Sequence, residues 1–298
     1  MGYYRLLGLE KEPFSNSPNP EFFYLSPHLK ECVYHLEISL RLKRGLNLIL
    51  GDVGTGKTTL SRLLIQQFSR ENERFLFHLI LDPIFKTPAE FLGHLLHIFG
   101  INSHNPSWSS QKEALQHYLF QKGVNEGKIV ILFIDEGQNL NMHSLEILRN
   151  LLNYETNECK LLQIIIFAQL ELLQKLRKLE NFIDRANFIY TLKPFNLTET
   201  EEMIRYRLLK AGLPPGKKLF TKGAFKKIHR YSQGKPRKII TLCHHALITM
   251  LIKGKEVVDK EVVGYVVKSL EEQTQGVLYR WINRGKKHFP FMNFWSQK

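Results

Sequence analysis

Gly51-Asp52-Val53-Gly54-Thr55-Gly56-Lys57-Thr58-Thr59 follows the apolar run Leu46–Leu50 and precedes the helical spacing Leu60, Leu63, Leu64. The stretch fits G-x-x-x-x-G-K-[ST] in the strand–loop–helix setting that this pattern requires. Its glycines let the backbone curl so that successive N–H groups face one point, and the helix after the loop adds partial positive charge there. Such a loop holds phosphate oxygens. Residues Gly51 to Thr59 would line a nucleotide's phosphates, with Lys57 reaching the β- and γ-phosphates and the Thr58 hydroxyl ligating Mg2+.

A site of this kind needs an acid from a second strand. Ile129-Val-Ile-Leu-Phe-Ile-Asp135-Glu136 is an aliphatic run ending in two carboxylates at its C-terminal edge, where α/β sheets bind their ligands. Asp135 would hold Mg2+ through water, and Glu136 would orient and polarise the attacking water. Phosphoryl transfer asks the protein mainly for positioning and for neutralisation of charge on the γ-oxygens, so a lysine, a metal and a carboxylate can carry much of it. An NKxD-type segment, which usually announces guanine, is absent. ATP is therefore the expected nucleotide.

Outward from these two stretches the apolar pattern alternates between periods. Leu46–Leu50, Phe75–Leu81, Ile129–Ile134, Leu161–Phe167 and Phe188–Leu192 read as strands. Helical spacing falls between them at 28–42, at 91–99 before Gly100, at 114–120 and at 144–152. This order predicts right-handed βαβ crossovers and a parallel sheet flanked by helices. After Pro194 the pattern is wholly helical, over 199–211, 222–231, 236–252 and 261–272. The expected organisation is an N-terminal segment and helix packing on the core (1–45), a P-loop α/β domain (46–195), a smaller all-α lid (196–275) and a basic aromatic tail (276–298).

The charge is divided unevenly. The chain of 298 residues carries +14, and residues 201–298 hold 21 Lys and Arg against 7 Asp and Glu, so the first 200 residues balance to zero. An anionic partner for the basic third, either DNA or an acidic membrane surface, is the expectation. Cys32, Cys159 and Cys243 are scattered, which suits reduced thiols in the cytoplasm. Met1–Leu6 lacks the apolar core of a signal peptide, and no apolar run is long enough to span a membrane.

The chain resembles the AAA+ ATPases of the general secretion pathway protein A (ExeA-like) group, which are similar to TniB/TnsC-like transposition ATPases. The resemblance runs from about residue 3 to 270 through Leu7-Gly-Leu, Pro13-Phe, Pro18-Asn-Pro20, Gly51–Thr59, Asp135-Glu-Gly-Gln-Asn-Leu140, Leu145–Asn153, Gln163–Leu170, Leu192-Lys-Pro194 and Ser232-Gln-Gly-Lys-Pro-Arg237. It implies three further roles. Gln169, in Ala168-Gln169-Leu170 where the group has Gly-Gln-Pro, would sense the γ-phosphate. Arg185, in Ile183-Asp184-Arg185 where the group has Gln-Arg, would be an arginine finger presented to a neighbouring subunit's ATP, unless Asp184 holds it locally. Arg237, at a helix start behind Pro236, would touch the nucleotide phosphates from the lid. The resemblance also implies a ring or filament oligomer and work with other proteins of an export or mobile-element system.

Two uses of ATP remain open: assembly of an envelope secretion system at the cytoplasmic membrane face, or ATP-gated DNA binding of the transposition type. A slow nucleotide switch is a third. The protein would be cytoplasmic or peripheral on the cytoplasmic membrane. The tail mixes Trp281, Phe289 and Phe291 with Arg280, Arg284 and Lys286, and it could lie on a membrane, stack on single-stranded nucleic acid or pack back on the lid. The histidines, His244-His245 included, have no metal-ligand spacing, and no Gly-x-Ser-x-Gly elbow is present.

Overall fold

The computed structural model describes residues 2–71, 73–102, 107–179 and 181–286, the last thirteen of them as backbone only. The chain divides into two units, Ser17–Pro194 and a second made of Met1–Asn16 with Phe195–Lys298.

In the first unit, strands Leu46–Gly51 (β1), Phe75–Ile80 (β2), Ile129–Ile134 (β3), Leu162–Ala168 (β4) and Ala186–Leu192 (β5) form one parallel sheet in the order β2-β3-β4-β1-β5. Every residue of β1, β3 and β4 is buried, which is why these three read as unbroken apolar runs. On the edge strand β5, exposed and half-buried positions alternate. This order matters for the site. It places β4 between β1 and β3, pairing Leu50 with Ala168 and Ile134 with Ile166, so the residue after β4 emerges between the ends of the other two.

Numbered in chain order, with α1 in the second unit, the helices here are Pro27–Arg41 (α2), Lys57–Phe68 (α3), Pro88–Ile98 (α4), Trp108–Phe120 (α5), Met142–Leu151 (α6) and Leu172–Leu176 (α7). Several begin before their apolar spacing does, because polar caps start them. The Thr87 hydroxyl accepts from the Glu90 N–H at 3.1 Å with Pro88 in the first turn, and the Asn141 side chain accepts from Ser144 N–H at 2.8 Å. The buried Asn47 in β1 pins α2 to the sheet: Ser39 Oγ donates to its Oδ1 at 2.7 Å, while Asn187 Nδ2 donates to Ser39 Oγ at 3.1 Å. A polar residue in a central strand is tolerated because its hydrogen bonds are made.

The second unit holds Tyr3–Leu6 (α1), Leu197–Lys210 (α8), Lys222–Ser232 (α9), Pro236–Ile252 (α10) and Lys260–Lys286 (α11). A capping box opens α8, with Asn196 and Glu199 exchanging side-chain and backbone bonds at 2.9 Å each. Here the structure corrects the expected organisation. Residues 1–16 do not belong with the α/β core as residues 27–41 do; they belong with the helical unit. The cause is Arg207, buried on α8, whose guanidinium donates to Pro13 O at 2.7 Å and to Ser15 O at 3.2 Å. Burial pulls its pKa down to about 10, so it stays charged at neutral pH and binds these carbonyls as a cation. Tyr3 adds a hydrogen bond of 3.2 Å to His244 on α10. The backbone of α11 continues to Lys286, well past the expected stop at 272. Of the tail residues, Phe289 and Phe291 lie outside the described residues and Trp281 is described in its backbone only.

The Ser232–Arg237 motif owes its glycine to sterics. Gly234 has φ +70°, its carbonyl accepts from Phe195 N–H at 2.9 Å, and a Cβ there would fall 1.9 Å from Phe195 O. Gly234→Ala is expected to cost about 3 kcal/mol and to lower the thermal midpoint by roughly 6–12 °C, as read by differential scanning calorimetry.

Candidate nucleotide site

The C-terminal edges of β1, β3 and β4 bring five of the expected residues together. Lys57 opens α3 immediately after Gly56, whose φ of +100° turns the loop into the helix. The residue is buried, and its ammonium donates to Gly51 O at 2.7 Å and Asp52 O at 3.0 Å. Burial lowers the lysine's pKa from its ordinary value, and the nearby carboxylates of Glu136, Asp135, Asp52 and Glu171 oppose that shift. The loop's curl is held from inside, with Thr55 Oγ1 donating to Asp52 O at 2.8 Å. Phe23 covers one flank, its ring 3.1 Å from where a Gly56 Cβ would stand.

Across from the loop, Thr58 Oγ1 donates to Asp135 Oδ2 at 2.7 Å. A hydroxyl and a buried carboxylate at this spacing are hard oxygen donors of the kind Mg2+ takes, usually one or two from protein and the rest from phosphates and water. The described residues contain no group of three or more His, Cys, Asp or Glu that could hold a metal by themselves. The donor set therefore suits the ion.

Glu136 follows Asp135 with φ +50° and ψ 37°, the left-handed region, and its N–H donates to Asp135 Oδ1 at 2.9 Å. Left-handed backbone is uncommon in a glutamate and marks a position held against a local cost. Gln169 follows β4 directly, between the two strand ends, and its backbone N–H donates to Gln138 Oε1 at 3.0 Å. Gln138 Nε2 in turn donates to the Glu136 carboxylate.

Of the other two expected residues, Arg185 stands elsewhere in the same unit and Arg237 belongs to the helical unit. Arg185 precedes β5, whose first residue pairs with Leu46 at the start of β1. That is the opposite end of the sheet from Gly51, a strand length or about 20 Å away. Its guanidinium donates to Arg149 O at 3.0 Å and to the Asn153 side chain, at the end of α6, rather than to Asp184. Arg237 is exposed in the first turn of α10, in the helical unit. Sequence reading also passed over Gln138, Phe23, Glu171 and Lys175, the last of which donates from α7 to the carbonyls of Gln138 and Leu140. Gln138 stands within the quoted Asp135–Leu140 motif, but spacing alone attaches no role to it.

A family model described as an AAA domain matches residues 41–176. Residues 41–176 form an AAA domain. Over 283 residues the chain is 34% identical to general secretion pathway protein A of Aeromonas hydrophila, covering 91% of this chain and 49% of that protein. The chain thus spans about half the length of the curated relative it matches. Solved structures share the fold. The ORC2 protein of Aeropyrum pernix, in ADPNP and ADP complexes, aligns over 87% of this chain and 71% of its own with a TM-score of 0.59 at 15% identity. A chain of Drosophila ORC bound to DNA aligns over 89% and 65% with a TM-score of 0.64 at 18% identity. The matched range includes β1 to β4 and the loop at Gly51–Thr59. No described helix is long and apolar enough to cross a membrane.

Proposed function

We propose that the chain binds and hydrolyses ATP with Mg2+, works as an oligomer, and couples turnover to assembly of an envelope export system at the cytoplasmic membrane face. The observation that carries the chemistry is the 2.7 Å contact between Thr58 and Asp135 beside the buried Lys57. It joins the phosphate loop to the acidic strand end. Thr58 and Asp135 would hold Mg2+, which when bound neutralises charge on the β- and γ-oxygens. Lys57 binds the same oxygens, Glu136 orients the attacking water, and Gln169 senses the γ-phosphate from between the strands.

Arg185 stands too far from its own loop to act there, which supports its use on a neighbouring copy's nucleotide. A guanidinium suits that task because it stays charged and donates in pairs to phosphoryl oxygens. Arg237 is the cation that the resemblance assigns from the helical unit. The export role rests on the likeness to general secretion pathway protein A, over the half of that protein that this chain spans.

A second reading has its own observation. From Met203 to Lys255 there is no Asp or Glu in 53 residues, against 14 Lys and Arg. On α9, Lys222, Lys226 and Arg230 are exposed while Ala224, Phe225 and Ile228 are buried, so a cationic stripe of one-turn spacing faces outward with no apolar side to insert. That stripe suits phosphate backbone as well as acidic headgroups. The export reading expects flotation with acidic vesicles, lost in Lys222→Glu/Lys226→Glu/Arg230→Glu. Retention of duplex DNA on filters, falling about a thousandfold or more between 50 and 200 mM salt, would favour the transposition-type reading instead. Binding to neither would remove the anionic partner altogether.

A further inference from the structure

We infer that Gln138 is a positioning residue that ties the aim of the Glu136 carboxylate to the position of the β4 end. The inference deepens the ATPase reading and rests on it for the role of Glu136. Gln138 touches both groups through the two ends of one amide. A backbone N–H can only donate, so the bond from Gln169 N–H at 3.0 Å assigns Oε1 to that side. The orientation of the amide is thereby set. Its Nε2 must then face Glu136, and it donates to the Glu136 carboxylate, a group that accepts when ionised.

The amide does not hang freely. Lys175, on α7 beyond β4, donates to the Gln138 carbonyl and to Leu140 O, the latter at 2.9 Å. Both the backbone and the side chain of Gln138 are therefore fixed by elements that come after β4. On the other side, Glu136 has left-handed backbone and is held by Asp135 Oδ1 on its own N–H. Left-handed backbone at a non-glycine residue persists where the surroundings over-determine it. Here the N–H of Glu136 is held by Asp135, its carbonyl accepts from Asn139 N–H at 2.9 Å, and its carboxylate accepts from Gln138.

The consequence is a short relay. Gln169 emerges between β1 and β3, so a group drawn toward a γ-phosphate there would shift the β4 end. That shift reaches Glu136 through a single rigid amide plane. The carboxylate is aimed when Gln169 N–H and Glu136 are both in reach of Gln138, and it loses its guide when either moves. Glutamine suits the place because it offers one acceptor and one donor at a fixed separation. Glutamate has the same shape but offers no donor when ionised, and leucine offers neither.

Two variants test this. Gln138→Glu keeps an acceptor for Gln169 N–H and replaces the donor to Glu136 with a like charge. It is expected to lower kcat for ATP by at least about tenfold while KM stays within about twofold. Gln138→Leu should accelerate hydrogen exchange of the Gln169 amide about tenfold or more relative to wild type, with circular dichroism unchanged. A Gln138→Glu kcat within twofold of wild type would overturn the inference, and so would kcat and KM shifting together. Unchanged exchange at Gln169 in Gln138→Leu would overturn it as well. The exchange measurement needs no turnover. If wild type releases no phosphate, the ATPase reading fails while the exchange result still decides the contact between Gln138 and Gln169.

Discussion

Lys57→Ala is expected to weaken nucleotide binding and to lower turnover about 10²–10³-fold. The lysine is the only cation the loop itself supplies, and its ammonium is already desolvated against Gly51 O and Asp52 O. A charge-assisted contact of this kind is worth about 1.5–3 kcal/mol in binding, or roughly ten- to a hundredfold in affinity at 1.4 kcal/mol per decade. Its larger effect is on the transition state, where charge spreads over the γ-oxygens and a fixed cation needs no reorganisation. Titration with a fluorescent ATP analogue and a phosphate-release assay read the two effects separately. Removing a buried cation from among Asp52, Asp135 and Glu136 also relieves the fold of a desolvated charge, so the thermal midpoint should not fall in parallel with activity.

Glu136→Gln should separate binding from chemistry. The amide fills the same space and leaves Lys57, Thr58 and Asp135 in place, so ATP affinity should stay within about threefold of wild type. Turnover should fall by about 10²–10⁴, the span attributed to a positioned acid or base. Single-turnover measurements on preformed complexes with ATP and Mg2+ isolate the loss to the hydrolytic step. Normal turnover in this variant would remove Glu136 from the mechanism and with it the purpose of the Gln138 relay.

Much of this site was readable along the chain, and the reason is burial. Strands covered on both faces must be apolar throughout, so β1 and β3 announce themselves as Leu46–Leu50 and Ile129–Ile134. The residues just after each strand then lie, by position, at the sheet's ligand-binding edge. The loop motif names the chemistry. Features that stayed hidden depended on partners distant in sequence or on backbone shape. Arg207 recruits residues 13–15 from the far end of the chain, and the Pro- and Ser-rich segment around them has no periodicity to betray it. Arg185, read as an arginine finger with a local pair to Asp184 as the alternative, bonds Arg149 O and Asn153 instead of Asp184, groups that come near only once α6 and β5 are packed. Gln138 sits two residues from Glu136, but the contact exists because Glu136 turns left-handed, and no spacing rule reports that turn.

The placement of β4 between β1 and β3 decides more than any single residue does. It sets Gln169 between the phosphate loop and the acidic strand end, while the parallel pairing of β5 with β1 puts Arg185 at the other end of the sheet. A site whose remaining arginine faces away from it is one that a second copy can complete. The oligomer and the ATPase are thus parts of one proposal, and the export role is a further step that the cationic stripe on α9 can test.

The most direct measurement is steady-state phosphate release from ATP by the wild-type chain beside Lys57→Ala, each in Mg2+ and then in EDTA. Wild type is expected to release phosphate only with Mg2+, and Lys57→Ala to stay at background under both conditions. Equal release by the two proteins, or none from folded wild type, would contradict the assignment of Gly51–Thr59 as a working ATP site.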